Sequence, residues 1–178
     1  MTNDLTSLLF AVVQDSVDAG ASYIRIALDE PIAGVQLSLT AADNRSCSRC
    51  CGSAVEQSDR FLQLQQAAKW TGGTCAVRVS PAFGVTIDSA FFLEHPLCPP
   101  LGNIAQAVAE FVGRNPSIHL QYQRSVAGHS FQLDTIALSE ALLALPLDHP
   151  EALAYLQAKL NQQEQKLWNF LDQSEPGV

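Results

Sequence analysis

Segments whose apolar residues alternate with period two come in pairs joined by short turns, and each pair follows a stretch of helical period. In SYIRIALD, Tyr23, Arg25 and Ala27 alternate with Ile24, Ile26 and Leu28, and VQLSLTA repeats the alternation after the turn EPIAG. TCAVRVS and VTIDSAFFL flank PAFG, and SIHLQYQRS and SFQLDT flank VAGH. A strand of this kind has one face to bury, and a neighbouring helix with an apolar stripe is the element that covers it. The expected fold is therefore α+β, a two-layer α/β sandwich in which a mixed sheet carries helices on one face, with an αββαα C-terminal extension.

The helices have identifiable ends. Asn3 or Asp4 caps the first, which runs to about residue 19 with Leu5, Leu8, Leu9, Val12, Ser16 and Val17 as its stripe and Gly20 as its stop. A second covers residues 59–70 and closes at Gly72 and Gly73. A third spans residues 102–113, and SEALLAL is expected to be a short fourth. Asp148 and Glu151 flank Pro150 as a capping box for a long amphipathic helix to about residue 171, with Leu153, Leu156, Leu160 and Leu167 on its apolar side. EHPLCPPLGN interrupts the pattern with paired prolines and a glycine. The expected organisation is a sandwich over residues 1–93, a linker over 94–101 and the extension over 102–178.

Charged residues are 16% of the 178 and apolar residues 47%, so the chain has material for a sizeable core. A net charge of -8 argues against nucleic acid and anionic membranes as partners, since both need Lys and Arg to displace counterions. No run reaches the roughly 20 apolar residues of a spanning helix, and the start carries Asp4 where a secretory signal would be basic. A cytoplasmic protein is expected. Its five cysteines, all between Cys47 and Cys98, then read as thiols or metal ligands rather than disulfides.

The element order and three segments resemble the histidine-kinase-like (GHKL) ATPase domain. AVVQDSVDAGASYIRIAL is similar to that family's first helix and strand, TAADNRSCS sits where the family has an Asp-x-Gly-x-Gly box, and QLQQAAKWTGGTCAVRVSPAFGVTIDSAFFL is similar to its last helix and final hairpin. PPLGNIAQAVAEFVGRNPSIHLQYQRSVAGHSFQLDTIAL resembles the extension of a bacterial subgroup of ATP-binding proteins, some of them encoded beside iron hydrogenase genes.

The resemblance implies a nucleotide site, and this chain departs from it. The family's first helix carries an acid that polarises water and, one turn later, an Asn that holds magnesium; the matching positions are Ala11 and Asp15. Asp15 can offer magnesium an oxygen, but Ala11 cannot act as a base. Asp43 matches the aspartate that reads the adenine amino group, while Arg45 and Cys47 replace the box glycines. Ser58 and Arg60 stand where the second glycine-rich box opens the last helix onto phosphate. The segment between Asp43 and Arg60 is also shorter than the family's lid. Hydrolysis is expected to be lost.

Cys47, Cys50 and Cys51 contain a C-x2-C spacing, and His95 with Cys98 forms an H-x2-C pair. Two thiolates at that spacing reach one tetrahedral metal, so these residues are candidate ligands for Zn or an iron–sulfur cluster. Cys75 lies in an apolar strand and reads as a structural thiol. Tyr122 and Arg124 lie on a strand face that reads as a polar binding patch or a solvated sheet face.

The resulting expectation is a degenerate histidine-kinase-like fold, a pseudo-ATPase with no catalytic residues and no required cofactor. It would act as a binding, assembly or regulatory module, using an open sheet face or the extension to engage a protein partner or a second copy of itself. Two alternatives remain open: an ATP-binding protein that keeps ATP and magnesium through Asp43, and a Zn or Fe–S protein built on the Cys47, Cys50 and Cys51 loop.

Overall fold

The structure, a computed structural model, describes residues 4–31, 34–42, 55–80, 84–142 and 145–174. Among them are five helices and six strands: α1 (Leu5–Asp18), β1 (Tyr23–Glu30), β2 (Val35–Ala42), α2 (Asp59–Trp70), β3 (Thr74–Ser80), β4 (Gly84–Phe91), α3 (Ile104–Arg114), β5 (His119–Val126), β6 (His129–Asp134), α4 (Thr135–Ala141) and α5 (Pro150–Ser174). The strands form one mixed sheet in the order β3-β4-β2-β1-β5-β6. Every pairing is antiparallel except that of β1 with β5. The fold is the expected α+β two-layer sandwich with helices on one face, and β5 of the C-terminal stretch lies in register beside β1, Tyr23 opposite His119 and Glu30 opposite Val126.

The alternation decides which face is covered. Ile24, Ile26 and Leu28 of β1, Leu37 and Leu39 of β2, Ile87 of β4 and Leu120 of β5 all point into one core with Leu9 and Val12 of α1, Leu64 of α2 and Val108 of α3. The other face is polar and cross-linked between strands. Ser38 donates to Asp88 at 2.7 Å, Tyr23 to Gln121 at 2.8 Å, and Arg25 to Gln123 at 3.5 Å.

The proline-rich segment has a structural task at the start of α1. The N–H groups of Leu5 and Thr6, which have no partner within the helix, donate to the carbonyls of Pro100 (2.9 Å) and Leu101 (3.0 Å). Asp4 caps the same turn through Ser7 N–H at 2.6 Å. Gly102 presses against the Asp4 side chain at a φ of +87°, where a Cβ would meet Asp4 Cγ at 2.6 Å, so a substitution would strain the backbone and force the Asp4 cap to shift. Gly113 of α3 serves α5 in a similar way, because a Cβ there would lie 2.9 Å from Leu153. On that contact α5 buries Ala152, Leu156, Leu160 and Leu167.

Two element boundaries differ from the sequence expectation. SEALLAL was expected as the fourth helix, over residues 139–145, but α4 begins directly after β6. Asp134 Oδ1 accepts from the N–H groups of Ile136 (2.8 Å) and Ala137 (3.4 Å), which starts the helix four residues early. At the start of α5 the His149 ring, through Nδ1, accepts from Glu151 N–H at 3.3 Å, so the side-chain cap comes from His149 where Asp148 was expected.

Tyr122 and Arg124 are not on a solvated face: both are buried on the covered side of β5. Arg124 is 4% exposed and reaches Glu30 of β1 through Nε (3.1 Å) and Nη2 (2.6 Å), and Glu164 of α5 through Nη1 (2.7 Å). Its guanidinium carbon also lies 5.8 Å from the Trp168 ring centre. Burial alone would weaken the charge, but Glu30, Tyr122 and Glu164 more than offset it and raise its pKa. The Tyr122 hydroxyl is buried beside this group, and burial raises its pKa while Arg124 lowers it to a lesser extent.

Arg124→Ala should cost about 3–5 kcal/mol in urea denaturation, because it strands two carboxylates in a buried site. Adding Glu30→Gln and Glu164→Gln should recover part of that loss.

The open face carries a second polar cluster. Asp134 accepts from His119 Nε2 (3.1 Å) and Gln121 Nε2 (2.8 Å) besides capping α4. Burial pushes its pKa up, but the bonds from Gln121, His119 and the Ile136 and Ala137 N–H groups outweigh this and lower it. A depressed carboxyl stabilises the fold above its unfolded pKa of about 3.9, and that contribution fades as pH falls through the folded value. Asp134→Asn should therefore flatten the acid limb of the stability–pH profile below about pH 4, read from urea midpoints.

Candidate functional site

The residues matching the family's magnesium and phosphate positions meet where the last turn of α1 faces the first turn of α2. Ser58 is the N-cap of α2, extended at φ -70° and ψ 132°, and its Oγ accepts from the N–H groups of Arg60 (3.1 Å) and Phe61 (3.4 Å). The same hydroxyl donates its proton to Asp15 Oδ2. Arg60 swings back over α1 and donates through Nη1 to Asp15 Oδ1 at 2.7 Å and to the Ala11 carbonyl at 3.4 Å. Asp15, Ser58 and Arg60 thus form one closed knot, with both carboxylate oxygens engaged.

The electrostatics favour that arrangement. A helix N-terminus presents partial positive charge and free N–H groups, so it attracts an anion. Here the anion is supplied by the chain itself: the Asp15 carboxylate reaches the first turn of α2 through the Ser58 hydroxyl and the Arg60 guanidinium. The Asp15 side chain is 21% exposed, so its pairing is only partly screened by water.

Ala11 lies in a groove of about 600 Å3 over α1, between α2 and α3. Ser7, Phe10, Gln14, Gln63 and Phe111 also line it. The carboxylate on its wall, Glu110, is held by Arg114 one turn along its own helix at 3.0 Å. The groove therefore has an apolar floor where the resemblance implies a general base.

Asp43, Cys47, Cys50 and Cys51 lie outside the described residues. His95 and Cys98 share one tight turn, in which Cys98 N–H donates to the His95 carbonyl at 2.8 Å while His95 Nδ1 accepts from Leu97 N–H at 3.2 Å. The Cys98 thiol points to the Pro99 carbonyl at 3.4 Å, and burial raises its pKa. Among the described residues no three His, Cys, Asp or Glu side chains converge as a metal site would require. Burial pushes the Cys75 thiol up to about 11, with Lys69 lowering and Asp88 raising it to lesser extents, which leaves it a poor nucleophile.

Arg124 with its two glutamates, and the His119–Asp134 cluster, were not legible as sites. The alternation Leu120, Tyr122, Arg124, Val126 does place Arg124 on the apolar side of β5, and that period is the signal that could have found it.

No family model matches the chain, and no curated protein matches it. Among solved structures it is similar to the crystal structure of the N-terminal domain of a DNA repair protein, with a TM-score of 0.45 and 11% identity over 74% of this chain and 52% of that one. The chain thus spans about half the length of that structure.

Ser58→Ala removes the N-cap and the bond to Asp15 together. It should cost roughly 1–2 kcal/mol in urea denaturation, with Ser58→Thr close to wild type.

Proposed function

We propose that this chain is a histidine-kinase-like domain that has given up nucleotide chemistry and works as a binding or assembly module. One observation carries the reading: Asp15 occupies, through Ser58 and Arg60, the helix start that a phosphate would need. A triphosphate would have to displace the Ser58 hydroxyl from the N–H groups of Arg60 and Phe61 and the Asp15 carboxylate from the Arg60 guanidinium. Ala11 supports the reading further, since the helix that should supply a base presents a methyl group there. The scarcity of cations agrees: ten Lys and Arg serve the whole chain, and Arg60 is already paired. The module would serve a protein partner, and neither its sheet face nor its C-terminal helix requires a cofactor for that role.

Calorimetric titration with Mg-ATP and Mg-ADP tests this. The expected result is no heat of binding below about 1 mM and no phosphate release above a protein-free control. Micromolar binding of either nucleotide would overturn the reading, and its loss in Asp43→Ala would establish the ATP-binding alternative instead.

A further inference from the structure

Five of the nine large apolar side chains exposed among the described residues lie in two short stretches: Leu62 and Trp70 of α2, and Phe92, Leu93 and Leu97 of the segment after β4. Leu62 is 48%, Trp70 58% and Leu97 63% exposed. Phe92 adjoins Gly72, two residues beyond Trp70, so the stretches meet at the end of α2. A concentration of this kind marks an interaction surface, whereas scattered exposed apolar residues do not.

We propose that the groove between α2 and residues 97–99 is a docking site for a basic amphipathic helix of a partner protein. This rests on the reading of the chain as a binding module and names the partner's chemistry. The groove measures about 640 Å3, with Leu8 and Ala67 in its lining and Leu62, Trp70, Leu97 and Pro99 around them. Leu62, Gln66 and Trp70 follow one another at four-residue spacing, which makes an i±4 ridge along α2. A second helix packs against such a ridge by laying its own ridges alongside it, with its apolar stripe in the groove. Gln63 and Gln66 on the rim offer hydrogen bonds to its polar edges.

Charge selects the partner. Asp59 lines the groove, Glu56 lies just before it in the chain and Glu94 sits between Leu93 and Leu97. Lys69 is the base on this stretch of α2, while Arg60 is committed to Asp15. The whole chain carries -8, so a second copy would be repelled and a basic helix attracted. The Asp15–Ser58–Arg60 knot also gains a role, since it anchors the first turn of the helix that presents the ridge. Such anchoring lowers the ordering cost of docking.

The test uses the full chain carrying Trp168→Phe, which leaves Trp70 as its one tryptophan. The probe is a synthetic Leu/Lys peptide with its leucines on one helical face. It should bind saturably and shift Trp70 emission to the blue, while a scrambled peptide of equal composition and a Leu/Glu helix bind at least ~10-fold more weakly. Leu62→Asp and Leu97→Asp should each lose at least ~10-fold, although both add negative charge that would strengthen a merely electrostatic association. Both side chains are exposed, so a thermal melt should find the variants folded. Unchanged affinity in the Asp variants, or no response of Trp70, would overturn the proposal. A concentration-dependent dimer in sedimentation that Leu97→Asp dissolves would also overturn it, by seating a second copy in the groove. Nucleotide titration reads the α1–α2 junction and this experiment reads Trp70, so either reading can fail alone.

Discussion

The pairing of β1 with β5 is the contact on which the rest of the architecture depends. β1 is bonded on both sides, antiparallel to β2 and parallel to β5, so its inward residues must fill a core shared by both halves of the chain. Parallel strands cannot be joined by a tight turn, and everything from β2 to α3 forms the crossover between them. The register also sets Arg124 opposite Leu28, two residues before Glu30. That placement lets one guanidinium hold the end of β1 and the body of α5 together. A buried charge of this kind is costly to leave half-paired, so it specifies where the C-terminal helix docks rather than adding much net stability.

The helical layer shows the same economy of partners. The free N–H groups at the start of α1 are taken by carbonyls of the proline-rich segment, and those at the start of α2 by Ser58. In the second case a carboxylate from α1 completes the arrangement. The start of α2 is thus satisfied from within the fold, and the same helix leaves Leu62 and Trp70 exposed.

Much of the fold was legible because the strands show period two and the first helices start or stop at capping residues and glycines. The spans of α2 and β3 matched the helix expected over residues 59–70, closed by Gly72 and Gly73, and the alternation of TCAVRVS, while the Ser58 cap emerged only in the structure. α4 was misplaced because the strand SFQLDT was read through Thr135, whereas Asp134 both ends β6 and caps the helix that starts at Thr135. Tyr122 and Arg124 were misread because a polar residue on a strand suggests solvent, although their period with Leu120 and Val126 marks the covered side that the register beside Ile26 and Leu28 fixes. The knot was half legible. Asp15, Ser58 and Arg60 could each be aligned with a family position, but nothing in the sequence showed that they would bond to one another.

Local rules therefore determined the elements, their order and the apolar face of each strand, because capping, turn chemistry and periodicity act over a few neighbouring residues. Tertiary structure decided which charges meet. Arg60 finds Asp15 across 45 residues and Arg124 finds Glu30 across 94. Such pairs depend on the crossing of helices and the register of β1 with β5, and no local pattern encodes either.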